Sequence, residues 1–187
     1  MKDFRLRAVA LLSAAVTLLC PNFTPIHGQA LRTTISDLAD ASDAIVVART
    51  RTVESYWNKN HSAILTRVVL DIDDRIQGST PRETVVIVPG GRVGNIVHEV
   101  SDMAVFTEGE ESVVFVERHA SGVNVVAGGS LGKLTISDEP VTHVRTVVGA
   151  EALLRGTPSE STDTPSARTG KHMRLDTFIR EFKNRDW

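Results

Sequence analysis

Apolar and polar residues alternate along much of the chain, and this period of two predicts β-strands. The clearest case starts at Ile64, after which Val68, Leu70 and Ile72 share one face and charged side chains occupy the other. Denser apolar or β-branched runs predict further strands, and glycine, proline, serine and asparagine clusters separate them. These runs cover residues 44–57, 84–88, 96–100, 112–116, 123–127 and, as the last short strand, 133–136. Residues 141–154 are ambiguous, since the first half of this stretch fits a strand and residues 149–154 fit a helical turn.

Two segments have helical signals. Thr34 and Asp37 form a capping-box pattern, which predicts a short helix through about Ala41. Near the carboxyl terminus, apolar residues recur at i, i+3, i+4 and i+7, which predicts an amphipathic helix. Its apolar stripe consists of Leu175, Phe178, Ile179 and Phe182.

The order of these elements predicts the fold class. Parallel strands need long crossover connections, usually helices, and the sequence has no such helix between its strands. We therefore expect an all-β fold, a small antiparallel OB-like β-barrel with a short N-terminal helix and a C-terminal amphipathic helix. The sequence does not distinguish a barrel from a sandwich.

The first thirty residues have the pattern of a secretory signal peptide. Three basic side chains in residues 1–7 precede an uncharged run over residues 8–19. At 1.5 Å per residue, this run is too short to cross a bilayer core of about 30 Å. Small residues at Gly28 and Ala30 favour cleavage after Ala30. We expect an exported protein, periplasmic or extracellular, with no transmembrane span in the mature chain.

Cys20 is the single cysteine of the chain and lies inside this segment. It supports an alternative in which the protein is a lipoprotein acylated at Cys20. Such a site has small residues just before the cysteine, and Thr17, Leu18 and Leu19 match this preference poorly. In the main interpretation the mature chain has no cysteine, so disulfides, thiol chemistry and cysteine-bound metals are excluded.

The predicted organisation is a signal peptide over residues 1–30, a β-barrel domain over 31–155, a flexible linker over 156–170 and the amphipathic helix over 171–187. Eleven of the fifteen linker positions are Gly, Pro, Ser or Thr, a composition that buries little apolar surface. The helix has two interpretations. It docks on the barrel, or it is tethered and engages another protein or a membrane surface through Phe178 and Phe182.

Composition and charge exclude some functions. Hydrophobic residues make up 41% and charged residues 24% of the chain, as in an ordinary globular protein. The formal charge is −2, and removal of residues 1–30, with three basic and one acidic side chain, makes it −4. Nucleic-acid binding requires an excess or a stripe of basic residues. We therefore expect no nucleic-acid partner.

The motif Gly128-Gly129-Ser130-Leu131-Gly132 matches the nucleophile elbow of α/β hydrolases, and Asp138 and His143 follow in the order of a catalytic triad. The elbow needs a strand that turns into a helix, whereas a strand is predicted after Gly132. We expect a glycine-rich bend at this position and no catalytic residues. A small serine hydrolase that uses Ser130 remains an alternative.

No metal or cofactor site is predicted. Asp71, Asp73 and Asp74 lack the glycine and the terminal glutamate of a calcium loop. The six histidines are scattered without the spacing of a zinc site. Residues 89–94 lack the Gly-Lys-Ser/Thr ending of a phosphate loop. We expect neither a metal ion nor a cofactor.

The remaining candidates concern a partner-binding surface. Trp57 beside Tyr56 at a strand end either packs at the barrel mouth or forms a ligand platform. The loop after the strand at 84–88 is the other exposed candidate, together with the C-terminal helix. The candidate residues are Pro89, Gly90, Gly91, Arg92, Gly94, Trp57, Phe178 and Phe182.

Several motifs over about residues 34–136 resemble a group of exported bacterial proteins that are mostly uncharacterised. The matching segments are 42–47, 53–57, Gly78, 88–91, 106–116 and the glycine-rich stretch 128–133. They are mainly turns and core positions, so the resemblance implies a fold more than an activity, and it implies no catalytic residues.

The arrangement also resembles, more distantly, the OB-type barrel of netrin-like domains and tissue metalloprotease inhibitors. In those inhibitors an amino-terminal cysteine chelates the catalytic zinc. Cleavage after Ala30 would leave Leu31 at the amino terminus and no cysteine, so this mechanism is not implied here.

We therefore expect an exported, non-enzymatic binding or interaction module, acting on another exported protein such as a protease. The alternatives are the serine hydrolase and a structural cell-envelope protein or lipoprotein. The oligomeric state does not follow from the sequence.

Overall fold

The computed structural model describes residues 34–139, 142–150 and 173–184. The predicted signal peptide, Cys20 and the predicted linker lie outside these residues. The described part contains ten strands and two short α-helices. They are α1 (Ile35–Asp40), β1 (Ala44–Trp57), β2 (Ile64–Gly78), β3 (Glu83–Pro89), β4 (Gly91–Val93), β5 (Ile96–His98), β6 (Glu111–Arg118), β7 (Asn124–Val126), β8 (Lys133–Asp138), β9 (Arg145–Val147), β10 (Met173–Arg174) and α2 (Leu175–Lys183).

Five of the strands form a closed barrel in the order β1-β2-β3-β7-β6, and β6 pairs back onto β1. The predicted β-barrel is thus confirmed, but the prediction that it is antiparallel is wrong. The barrel is mixed because β3 and β7 run parallel, with Val86 opposite Asn124. The reason is parity. An odd number of strands cannot alternate in direction around a closed ring, so one adjacent pair must be parallel.

The continuous apolar runs of β1 and β6 arise because both faces of these strands are buried. In β1, Ala44, Val46 and Ala48 face the barrel interior, while Ile45 and Val47 face a second core outside the barrel. β6 follows the same rule, with alternate residues in the two cores. The central wall between β1 and β6 therefore belongs to two hydrophobic cores.

The second core holds both helices against the barrel wall. Thr34 caps α1, since its side chain accepts a hydrogen bond from the Asp37 N–H (3.2 Å) and Asp37 accepts one from the Thr34 N–H (2.7 Å). In α2, Phe178 and Phe182 are buried, and the Phe182 ring meets Phe115 edge-on at 6.3 Å between centroids. The stripe of α2 faces the barrel in this structure.

Three short strands extend the sheet beyond the barrel in the order β6-β8-β9-β10. The prediction that the strand at 133–136 is the last is therefore wrong, since β9 and β10 follow it. β10 has two residues, which is too short to show a period, so the sequence did not reveal it. β9 lies in the first half of the stretch 141–154, where the sequence indicated a strand, and α2 begins at Leu175, after β10.

β4 and β5 form a separate two-stranded sheet. The sequence predicted a strand near β5 but a turn at β4, because Pro89, Gly90 and Gly91 are typical of strand ends. Gly94 and Asn95 between the two strands are a two-residue hairpin signal that could have revealed the pair. Within the described part of the chain, no helix is long and apolar enough to cross a bilayer.

Candidate functional site

The hairpin of β1 and β2 continues past the barrel ring at one end. β6 pairs with β1 only over residues 44–49, whereas β2 pairs with β1 up to Trp57 and Ile64. The turn that joins them is held by Asn58, whose Oδ1 accepts a hydrogen bond from the Ser62 N–H at 2.9 Å. The end of this hairpin is the part of the barrel on which most of the candidate residues meet.

The small sheet of β4 and β5 packs on one face of this hairpin. The Gly90 N–H donates to the Ile64 carbonyl (2.9 Å), and the Thr66 hydroxyl donates to the Gly90 carbonyl (2.7 Å). Gly91 has a φ of +133°, and a Cβ there would overlap the hydroxyls of Ser55 and Thr66. Gly90 and Gly91 thus allow the chain after β3 to pack closely against His98 and the β1–β2 hairpin, which is a structural role that glycine alone can fill.

Trp57 lies between two histidines at the end of the hairpin. The His98 ring meets the Trp57 ring edge-on at 5.3 Å, and the His61 ring lies 6.1 Å away. The Ile64 N–H donates to His98 Nδ1 at 3.2 Å. His98 therefore accepts through Nδ1 and carries its proton on Nε2 in this arrangement. These contacts fix β5 on the hairpin, and they leave Trp57 half-buried.

Apolar side chains on β5 and just after it, next to His98, are exposed. Ile96 is 50% exposed, Val97 41% and Val100 46%. We call Trp57, Ile96, Val97 and Val100 the hairpin surface. Arg92, opposite Val97 in the register, is exposed beside it. Exposed apolar residues that are grouped in this way mark interaction sites more often than isolated ones do.

The candidates from the sequence divide into three groups. Pro89, Arg92 and Gly94 are exposed near the hairpin surface. Gly90 and Gly91 are packed between strands, as described above. Phe178 and Phe182 lie in the second core with at most 1% exposure, so they offer no surface to a partner in this structure. The sequence analysis missed Ile96, Val97, His98 and Val100, although it predicted a strand over residues 96–100.

A cluster of polar side chains lies where β6 begins. The Lys133 ammonium donates to Glu110 at 2.7 Å and lies 5.2 Å from the centre of the Phe106 ring. The Thr135 hydroxyl donates to the same carboxylate oxygen at 2.8 Å. Burial raises the pKa of Glu110, but the hydrogen bonds and the charge of Lys133 outweigh it and hold this pKa below its ordinary value of 4.5.

The lowered pKa predicts how stability depends on pH. Because the folded pKa of Glu110 is below the unfolded one, its contribution is present above about pH 4.5 and is lost as the pH falls through the folded pKa. We expect Glu110→Gln to lower the free energy of unfolding at pH 7 by about 1–2 kcal/mol. The difference from the wild-type chain should shrink toward pH 3. Urea unfolding at several pH values measures it, with the exposed Glu99→Gln as control. A constant difference at all pH values would contradict the assignment.

Two buried hydroxyls lie in the same wall of the barrel. Thr50 and Ser112 are at most 1% exposed, and their hydroxyls have no hydrogen-bond partner among the described residues. Ser112 lies opposite Ala48, which faces the barrel interior. The wall between β1 and β6 therefore contains two buried hydroxyl groups, those of Thr50 and Ser112, in an otherwise apolar interior.

Ser130 lies in a 3₁₀ helix, Gly129–Gly132, that leads directly into β8. Its N–H donates to the Asp102 carbonyl at 2.7 Å. A nucleophile elbow instead places the serine between a strand and an α-helix. Among the described residues, no hydrogen bond joins the Ser130 side chain to Asp138 or His143. The described residues around Ser130 therefore do not form the strand, serine and α-helix arrangement of a nucleophile elbow.

Within residues 34–139, 142–150 and 173–184, no three His, Cys, Asp or Glu side chains are grouped so as to hold a metal ion. Asp71 pairs with Arg51 at 3.3 Å, and Asp73 and Asp74 are exposed. The donor set of a metal centre is thus not found in the described part of the chain.

Comparison of the chain with protein-family models, with curated proteins and with solved structures gave no match.

Proposed function

We propose that the chain is an exported, non-enzymatic interaction module that binds another exported protein, such as a protease, through the hairpin surface. The observation that carries this proposal is the exposure of three aliphatic side chains, Ile96, Val97 and Val100, on β5 and just after it, next to the His98 that contacts Trp57. Apolar groups of this kind lose contact with water when a partner covers them, which stabilises the complex.

The way in which the hairpin surface is held supports the same function. The hydrogen bond from Ile64 to His98 holds β5 against the β1–β2 hairpin, and the bond from Gly90 to Ile64 holds the residue that precedes β4. The edge-on contact between His98 and Trp57 adds a third point of attachment. A surface that is already ordered loses less conformational entropy when a partner binds. The hairpin surface is therefore suited to recognition without a large rearrangement.

We also propose that the barrel is of the OB type. Its strand order supports this, because β1, β2 and β3 are consecutive neighbours and β6 returns after a long connection to lie beside β1. This is a Greek-key order, and a five-stranded Greek-key barrel is the core of the OB fold. The proposal includes no zinc chelation by an amino-terminal cysteine.

Affinity capture from the exported fraction of the host tests the function, with two matched valine variants. Val97 is 41% exposed on the hairpin surface, and Val123 is 43% exposed after the β6–β7 turn. Val123 lies near the start of β1, at the opposite end of the barrel from Trp57. Neither substitution removes a buried side chain, so both variants should fold.

We expect the wild-type chain and Val123→Asp to retain a stoichiometric partner, and Val97→Asp to lose at least about tenfold in affinity, since a charge would be buried without a counter-ion. Equal retention by both variants would contradict the hairpin surface. Absence of any partner would contradict the interaction function itself.

A further inference from the structure

The backbone groups of β1 point to a second feature of the same hairpin. In an antiparallel pair, hydrogen-bonded and non-hydrogen-bonded residue pairs alternate. The Asn58 N–H bonds to the Ala63 carbonyl, so the next pair, Trp57 and Ile64, is a non-hydrogen-bonded one. The N–H and C=O groups of Trp57 therefore point away from β2.

The same alternation applies along the rest of the segment, because the register is regular from Thr52 to Trp57. Val53 and Ser55 thus also direct their backbone groups away from β2. An independent contact agrees with this, since the Val53 N–H donates to the Glu108 carboxylate at 3.0 Å on that side. We call residues 53–57 the β1 edge.

In the described part of the chain, no strand pairs with the β1 edge on the side away from β2. β6 reaches β1 only up to Arg49, and the backbone of Gly109 and Glu110 bonds to Thr50. Beyond that point, the Glu108 carboxylate is the only described group that bonds to the backbone of the edge on this side. Among the described residues, no group bonds to the backbone N–H or C=O that Ser55 and Trp57 direct away from β2. The edge thus offers unpaired donors and acceptors in an extended conformation.

The composition of the β1 edge does not protect it. Natural edge strands are usually blocked by lysine, proline or a bulge. The sequence Val-Glu-Ser-Tyr-Trp contains no lysine and no proline, and the register shift between Thr50 and Thr52 precedes it. Aromatic and β-branched residues of this kind favour pairing with another strand. The segment is therefore a template for strand addition.

The charges at the β1 edge indicate what kind of strand it accepts. Glu54 lies on the edge and Glu108 at its start, and neither makes an ion pair with a described residue. Arg51, the nearest base along β1, is already paired with Asp71 and Glu83. Arg67, opposite Glu54, lies on β2 and so on the far side of β1 from the open edge. A strand that approaches the edge meets two carboxylates that have no basic partner among the described residues.

We propose that the β1 edge binds an extended, basic segment of the partner protein by strand addition. The backbone of that segment pairs with Ser55 and Trp57, and its lysine or arginine side chains face Glu54 and Glu108. This inference rests on the interaction function proposed above and names the chemistry of the partner. A second copy of the chain fits less well, because two acidic edges would oppose each other and because five residues bury far less than the roughly 1,600 Å² of a stable interface.

Synthetic peptides test the proposal directly. The probe is a capped seven-residue peptide that alternates valine and lysine, compared with the same peptide carrying glutamate instead of lysine. A third peptide keeps the lysines but is N-methylated at alternate positions, which removes the backbone donors of one edge. Fluorescence anisotropy of the labelled peptides with the intact chain gives their relative affinities.

We expect the lysine peptide to bind at least about tenfold more tightly than either the glutamate or the N-methylated peptide. Equal binding of the lysine peptide and its N-methylated form would overturn strand addition, because only charge would then be recognised. Equal binding of the lysine and glutamate peptides would overturn the assignment of a basic partner.

Variants of the chain complete the test. Ser55→Pro removes an N–H that no described residue uses, so it should keep the β1–β2 ladder and weaken lysine-peptide binding at least about tenfold. If Ser55→Pro does not fold, Glu54→Lys and Glu108→Lys, both at exposed positions, take its place and should reverse the preference to the glutamate peptide. Unchanged preference in these two variants would refute the proposal.

The outcomes also separate this inference from the interaction function. A partner captured by the wild-type chain and by Ser55→Pro, but lost in Val97→Asp, would keep the hairpin surface and overturn the β1 edge. Self-association of the chain that Ser55→Pro abolishes, without binding of the lysine peptide, would show that a second copy occupies the edge and would also overturn the proposal.

Discussion

Replacing Phe178 with alanine is expected to lower the free energy of unfolding by about 3–5 kcal/mol, the usual range for a fully buried phenylalanine. Phe178 has no exposed surface and packs beside Phe182, with 6.2 Å between ring centroids. The substitution removes contacts with the second core and leaves a cavity between α2 and the barrel wall. Urea unfolding at pH 7 measures the change.

Arg180→Ala is the matched control, since Arg180 lies on the exposed face of the same helix. We expect its effect to stay within about 0.5 kcal/mol. A loss below about 1 kcal/mol for Phe178→Ala would mean that α2 is not docked in solution. In that case the other interpretation would be favoured, a tethered helix that presents Phe178 and Phe182 to a partner. Removal of residues 156–187 provides a second check, because a docked helix requires a large fall in melting temperature.

Gly91→Ala should have the second large effect, about 3 kcal/mol, because it combines backbone strain with a steric overlap. The φ of +133° is one that residues with a Cβ rarely adopt. The new Cβ would also collide with the hydroxyls of Ser55 and Thr66. The small β4–β5 sheet would have to move away from the hairpin. Hydrogen exchange of the Gly90 amide, which bonds to Ile64, reports this movement and should accelerate about 100-fold.

Gly94→Ala separates the two causes. Gly94 also has a positive φ, of +58°, but a Cβ there would meet nothing within 4 Å. We expect a cost of about 1 kcal/mol from the left-handed conformation alone, without faster exchange at Gly90. Similar effects of the two substitutions would mean that Gly91 does not hold the sheets together.

The prediction for Gly91 changes how the loop after β3 is understood. In the sequence, Pro89, Gly90, Gly91, Arg92 and Gly94 form one glycine-rich stretch and one candidate for partner binding. In the structure, Gly90 and Gly91 allow close packing, whereas Arg92 and Gly94 are exposed. A pattern of glycines therefore indicated a special backbone, but it did not distinguish contact with a ligand from contact with another part of the same chain.

Several features of the fold followed from the sequence because they depend on local interactions. The capping box at Thr34 and Asp37 set the start of α1, and it forms as predicted. The alternation after Ile64 identified β2, and the dense runs identified β1, β3 and β6. The spacing of Leu175, Phe178 and Phe182 identified α2 and its buried stripe. Capping, period and turn chemistry all act within a few residues, so a single sequence contains them.

Other features depended on contacts between distant parts of the chain. The sequence indicated that β1 and β6 are strongly apolar, but the tertiary structure alone shows that their two faces serve two cores. The parallel pairing of β3 with β7 follows from closing a ring of five strands, and no local pattern encodes that closure. The pairing of Lys133 with Glu110 joins residues that are 23 positions apart.

The sequence by itself determined a β-rich chain with two short helices, the positions of its main strands and the absence of a basic stripe. The tertiary structure decided which of those residues meet. It buried Phe178 and Phe182, and it left Ile96, Val97 and Val100 exposed next to the contact between His98 and Trp57. Among the described residues, it left residues 53–57 with no strand on the side away from β2. The physical reason is that period and capping fix the direction of a side chain relative to its own element, whereas burial and exposure depend on which other elements cover it.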